Sequence, residues 1–205
     1  TTYGVGQLIL AAARKGVKKI IVGLGGSSTN DGGCGAAAAV GIKFYDRDGR
    51  QFIPTGGTTA DIDRIDLSGR DSLLEQVEIV TMCDIDNPLC GPTGAAAVFG
   101  PQKGADAAQI QRLDAGLAHL AQILERDLGI STQDLPGAGA AGGMGAGMAA
   151  FFGSRLQPGI ETVLDTVRFE EVIRDADWIF TGEGRLDGQS LRGKVVSGVA
   201  RRAGG

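Results

Sequence analysis

Apolar positions along the chain switch between two periods, and the switches mark the elements. Residues 5–15 (VGQLILAAARK) carry a helical pattern that stops at Gly16, a residue suited to a left-handed C-cap. Lys19-Ile20-Ile21-Val22-Gly23-Leu24 follows as a nearly continuous apolar run, the pattern of a strand covered on both faces. It empties into Gly25-Gly26-Ser27-Ser28-Thr29-Asn30-Asp31-Gly32-Gly33, a loop by its glycine and short polar content, and then into an Ala-rich helix from about Cys34 to Val40. Residues 42–53 alternate apolar and polar around Asp48-Gly49, which predicts a hairpin. A short helical stretch near 69–76 precedes a second apolar strand, Val77 to Met82. A helix from about Ala105 to Leu128 sets Ile110, Leu113, Leu117, Leu120, Ile123 and Leu124 on one stripe and leaves His119 off it, as a solvated surface residue. Helical turns near 161–174 lead to a third strand, Asp177 to Thr181. Strand followed by polar loop recurs three times, which predicts an α/β protein whose ligand lies outside the carboxyl ends of the strands.

Composition narrows the function class. The chain has 205 residues, 42% of them hydrophobic and 21% charged, enough for an ordinary core and too apolar for disorder. Its 20 Lys and Arg against 24 Asp and Glu give a formal charge of −4, with no basic face and only 5% aromatics, which argues against nucleic acid as a partner and for a small molecule. No stretch approaches the roughly 20 apolar residues that span a bilayer, and no signal-peptide pattern is present, so a cytoplasmic protein without membrane contact is expected. Cys34, Cys83 and Cys90 show neither C-x-x-C spacing nor a histidine partner, which excludes a zinc site by pattern. The opening Thr1-Thr2-Tyr3-Gly4, without methionine, and the closing Arg201-Arg202-Ala203-Gly204-Gly205 predict an internal piece of a longer polypeptide. The 35 glycines are more than twice the average share of about 7% and call for a physical reason.

Three glycine-rich stretches compete as that reason. Gly137-Ala138-Gly139-Ala140-Ala141-Gly142 spells a dinucleotide fingerprint, but the preceding Thr132-Gln133-Asp134-Leu135-Pro136 is no buried strand, so close helix packing or a loop accounts for it better than a nicotinamide site. Gly188 to Lys194 spells a P-loop pattern, yet Val195 stands where a magnesium-binding hydroxyl belongs; Lys194 near a helix start could still pair with phosphate. The loop 25–33 is more specific: it joins glycines, three hydroxyls, an amide and a carboxylate in one turn, and its backbone N–H groups can cradle oxyanions. Asp84 and Asp86 follow the second strand just before the Asn87-Pro88 turn, and one of them is expected to point into a site; Glu183, Arg185 and Asp187 share one side of the loop after the third. Carboxylates on three loops suit magnesium and base chemistry, and Lys and Arg suit phosphate charge, an inventory that fits phosphoryl transfer.

Taken jointly, Gly25 to Gly33, Cys83-Asp84-Ile85-Asp86-Asn87-Pro88-Leu89-Cys90-Gly91, Phe99-Gly100-Pro101-Gln102-Lys103-Gly104 and Thr181-Gly182-Glu183-Gly184-Arg185-Leu186-Asp187 closely resemble the bacterial glycerate kinase family. The resemblance covers the whole chain and includes the opening Thr1 to Gly6. It implies ATP-dependent phosphorylation of D-glycerate, usually to 2-phosphoglycerate, with magnesium, in organic-acid catabolism. It also implies a two-domain α/β protein in which a Rossmann-like part is interrupted by a second α/β domain. By that analogy residues 1–170 are mostly the inserted α/β domain and 171–205 begin the returning Rossmann-like domain. On this basis Asp31 and Asp187 are the candidate catalytic acids, with Asp31 a base or substrate-orienting group. Ser27, Ser28, Thr29, Asn30, Lys103, Arg185 and Lys194 are candidates for substrate or phosphate oxygens, and Asp84, Asp86 and Glu183 for magnesium. The alternative is that these residues form a folded, inactive ligand-binding domain of such a kinase. Oligomeric state stays open.

Overall fold

Helix α1 (Tyr3–Ala13) opens the chain and buries Gly6, Ile9, Leu10 and Ala13 on one side, the period its sequence carries. The computed structural model describes residues 1–184 and 195–204. They divide into two compact units, Thr1–Leu156 and Gln157–Gly205.

In the first unit, strand β1 (Lys19–Gly23) leads through the polar loop into α2 (Cys34–Ala39). Strands β2 (Lys43–Tyr45) and β3 (Gln51–Phe52) form the expected hairpin, closed by Asp46 Oδ1, which accepts the N–H groups of Asp48 and Arg50. Strand β4 (Arg64–Asp66) adds antiparallel to β2, with Phe44 opposite Ile65. The 69–76 stretch settles as a 3₁₀ turn (Ser72–Gln76) capped by the Asp71 carboxylate, and β5 (Glu78–Met82) then runs parallel to β1 with Ile20 beside Ile79. That sheet orders as β1-β5-β6, where β6 is Arg155–Gln157. Helices supply the α part of this α/β fold: α3 (Ala95–Phe99), α4 (Ala107–Leu128) and α5 (Ala140–Phe152).

Three expectations need correction. The apolar run of β1 predicts cover on both faces, but among the described residues β1 is an edge strand with no fully buried residue, and Ile21 is 39% exposed. Central β5, of the same apolar character, buries Ile79, Val80 and Thr81. Sheet position, which no local pattern encodes, separates the two. His119 is not a solvated surface residue: it is half-buried, with Nε2 2.6 Å from the Ile62 carbonyl oxygen, so a polar side chain beside the apolar stripe ties α4 to the loop before β4. The third strand, Asp177 to Thr181, is absent; Trp178 and Phe180 are 82% and 92% exposed. A strand needs a neighbour for its backbone groups, and among the described residues none pairs with this segment.

Helix α4 carries the core. Asp106 and Gln109 form a reciprocal capping box at its start, and Leu117, Leu120, Ile123 and Leu124 are buried along the predicted stripe. Phe44 and Phe151 meet edge to face at 5.7 Å, joining the hairpin to α5.

The glycine excess finds its reason in α5. Its entry, Ala141-Gly142-Gly143, is left-handed, and the regular helix follows. A Cβ on Gly142 would stand 1.9 Å from the Thr29 carbonyl oxygen, and one on Gly147 2.4 Å from that of Gly32. The run that spells a dinucleotide fingerprint is therefore a packing surface, pared to backbone so that the polar loop can lie on it.

The second unit contains α6 (Gly159–Thr166), α7 (Phe169–Val172) and α8 (Val195–Ala203). Gly198 lets α8 close on Ile160. Around that contact Arg202 forms ion pairs with Glu161, Asp165 and Glu170, and Arg201 adds one to Glu161.

Candidate functional site

The polar loop after β1 is fixed from below. The Gly32 N–H donates to the Gly142 carbonyl at 3.1 Å, and the left-handed Gly33 approaches the backbone of Gly147. This platform presents Ser27 to Asp31 at the carboxyl end of β1, beside the loop that leaves β5, as an open parallel sheet is expected to do.

Each predicted group in the loop has a distinct position. Asp31 is 1% exposed; its Oδ2 accepts the Thr2 N–H at 2.7 Å and the Thr2 hydroxyl at 3.1 Å, and its Oδ1 accepts the Gly33 N–H at 3.1 Å. The carboxylate thus anchors the start of α1 and the approach to α2 while also lining a cavity. Asn30 is 8% exposed, and neither its Oδ1 nor its Nδ2 has a hydrogen-bond partner in the described structure. A buried amide in that state costs about 1–3 kcal/mol.

Lys103 completes the wall. It ends the 3₁₀ turn Pro101–Lys103 that follows α3, and its Nζ donates to the Thr29 carbonyl at 2.6 Å. Partial burial pulls its ammonium below the ordinary lysine value, a shift opposed by the Asp31 charge. The same two influences, burial first and Asp31 second, push the buried Cys34 thiol well above its usual range, which makes it an inert core residue.

Two cavities meet at this wall, and Ser28 and Lys103 border both. One, of about 410 Å³, lies under the first turns of α4 and is lined by Thr29, Asn30, Asp31, Gly56 and Arg112 among others. The second, of about 380 Å³, is lined by Gly25, Gly26, Ser27, Asp84, Gln102 and the left-handed Ala141. Asp84 borders the second cavity and Asp86 does not; residues two apart would share a face of an extended strand, and this irregular loop separates them. Both are exposed on the loop after β5, whose Asn87 carbonyl accepts the Gly139 N–H. Among the described residues no three His, Cys, Asp or Glu side chains gather as a metal cage. Magnesium requires less, since one or two carboxylates with substrate oxygens and water complete its octahedron, and Asp84 fits that need.

The remaining predicted residues are not part of this cluster. Glu183 is half-buried on the loop that follows Phe180, in the second unit. Arg185, Asp187 and Lys194, and with them the P-loop-like pattern, lie outside the described residues. Sequence reasoning missed Arg112, which reaches the first cavity from α4 together with Gln109 and Leu113. The signal was present: 109, 112 and 113 fall on one helical face, just after the Phe99 to Gly104 motif.

The model of the Glycerate kinase family matches residues 1–205. The chain belongs to the glycerate kinase family. It is 49% identical over 203 residues to a glycerate kinase of Halalkalibacterium halodurans, covering 99% of this chain and 53% of that one. To the glycerate 2-kinase of Escherichia coli it is 47% identical, with the same shares covered. Among solved structures, a Salmonella typhimurium LT2 protein assigned as glycerate kinase 2 superposes with a TM-score of 0.91 at 47% identity, over 100% of this chain and 55% of that one. The chain therefore spans about half the length of the curated relatives it matches. Among the described residues no helix is long and apolar enough to cross a membrane.

Proposed function

We propose that this chain carries the acceptor side of an ATP-dependent kinase that phosphorylates D-glycerate, with 2-phosphoglycerate the favoured product, in the cytoplasm. The observation that carries the reading is the pair of cavities sharing Ser28 and Lys103, one holding an unpartnered buried amide and the other a glycine turn beside Asp84. Family membership supports it, and so does the name of the relatives.

In this reading the first cavity takes glycerate, and Asn30, Ser28 and Thr29 hold its oxygens. Asp31 orients the attacking hydroxyl or receives its proton through the lone pair that Thr2 and Gly33 leave. The second cavity takes the phosphates of ATP, with Gly25 and Gly26 allowing close backbone approach and Ser27 donating. Lys103 stands between the two, where charge on the transferred group is greatest and a fixed cation contributes most. Asp84 is placed to hold magnesium, with Asp86 and Glu183 as further candidates. When bound, the ion would neutralise phosphate charge as the acceptor oxygen bonds to phosphorus and the bond to the departing ADP oxygen breaks. Asp187 as a catalytic acid, and Arg185 and Lys194 as phosphate ligands, belong to the same proposal.

The half-length match favours a second reading, in which these 205 residues bind glycerate without turning it over by themselves. Phosphorus NMR separates the two. The full-length polypeptide that carries this sequence and the 205-residue chain are each given magnesium, ATP and D-glycerate. A 2-phosphoglycerate signal from both supports transfer within 1–205, and a signal from the longer polypeptide alone supports the second reading. Silence from both overturns the kinase proposal.

A further inference from the structure

The cavity under α4 holds a cation that none of the motifs explains. Arg112 lines it without a hydrogen bond or ion pair to any described residue, although the chain is net acidic. Its neighbours are otherwise engaged. Gln109 is held in the capping box, where its Oε1 accepts the Asp106 N–H at 2.9 Å. Asp31 is the acid bordering the cavity, and its oxygens are turned to Thr2 and Gly33. The orphaned Asn30 amide borders the same cavity, with two N–H donors and a carbonyl acceptor to offer.

We propose that Arg112 and Asn30 form a recognition site for an α-hydroxy carboxylate, in which the Arg112 guanidinium pairs with the carboxylate and the Asn30 amide binds the adjacent hydroxyl. The inference rests on the acceptor reading above and deepens it: it assigns the two ends of the ligand and makes Arg112 the residue that selects acids over neutral polyols. A planar guanidinium suits a carboxylate because two parallel N–H groups meet two oxygens, which the single ammonium of Lys103 cannot do. Gly56 closes the wall, since a Cβ there would stand 3.0 Å from the Asn30 carbonyl oxygen and would press on the loop that carries the amide.

The test uses the full-length polypeptide as wild type, Arg112→Gln and Arg112→Lys, with D-glycerate and its uncharged analogue glyceramide. Arg112 is exposed on a helix, so both variants retain the fold. Arg112→Gln is expected to raise KM for D-glycerate at least tenfold, leave KM for ATP within twofold, and erase the preference for D-glycerate over glyceramide. Arg112→Lys restores part of that preference. An unchanged KM, or an equal rise for glyceramide, overturns the assignment. Calorimetric titration of D-glycerate without ATP separates this inference from the kinase reading. Binding by wild type that Arg112→Gln loses, with no phosphoryl transfer by either, upholds the carboxylate site and removes the kinase. Transfer by wild type that Arg112→Gln matches upholds the kinase and removes the site. A wild type that binds no hydroxy acid overturns both.

Discussion

The two units of this chain are held together by different physics. In Thr1–Leu156 backbone lies on backbone: the loop 29–33 rests on the glycines of α5, and the core is Leu, Ile, Ala and Phe with few charges. In Gln157–Gly205 three short helices gather around Arg202 and its three carboxylates, while Trp178 and Phe180 stay exposed. The difference teaches where precision is stored. A contact between two backbones tolerates no added atom, so the unit built on it can hold an amide and an ammonium in fixed places. Partly exposed ion pairs adjust, and they respond to salt and acid.

The largest effect that would test this contrast is at Gly142. Gly142→Ala places a Cβ in contact with the Thr29 carbonyl at a left-handed position, and should lower the stability of the first unit by roughly 3 kcal/mol or more. Gly153→Ala, also left-handed but with open space around it, should cost only about 1 kcal/mol. Denaturant midpoints measured on both would break the comparison if the two losses were equal.

Next in size is Asp31→Asn. It sets an N–H₂ group against N–H donors of Thr2 or Gly33 in a buried site, and a loss of about 2–3 kcal/mol is expected. A drop in the denaturant midpoint at unchanged slope would identify Asp31 as an anchor of the loop. Full stability with lost turnover would confine it to chemistry.

Acid should loosen the second unit first. Arg202 holds the Glu170 carboxyl below its ordinary value, so the pairing contributes fully above the unfolded glutamate range and is lost as pH falls through the folded value. The protection of the α8 amides against hydrogen exchange, corrected for the intrinsic rate at each pH, should therefore fall as pH drops below about 4 to 5. Arg202→Met should remove that dependence and leave α4 unaffected.

The smallest effect expected is at His119. His119→Phe removes the bond to the Ile62 carbonyl and should cost about 1 kcal/mol, read as a small midpoint shift.

Much of this was legible beforehand. Periods of 3.6 and 2 marked α1, α4 and the hairpin, because amphipathic elements write their buried face into the chain, and an apolar run marked β5. Four ordered motifs carried the resemblance, and the family match bears it out. Within the site, the loop 25–33 and Lys103 follow from local chemistry. Arg112 did not, since its value depends on what faces it across a cavity.

The sequence by itself determined the elements, the glycine-rich loops and the family, since those depend on neighbours a few residues apart. Only the tertiary structure decided that, among the described residues, β1 lies at an edge, Asp177 to Thr181 is unpaired, Asn30 is buried without a partner and Arg112 borders the same cavity. Burial and pairing are properties of surfaces brought together from distant parts of the chain. The same apolar run or the same free cation acquires its meaning from what the fold sets against it.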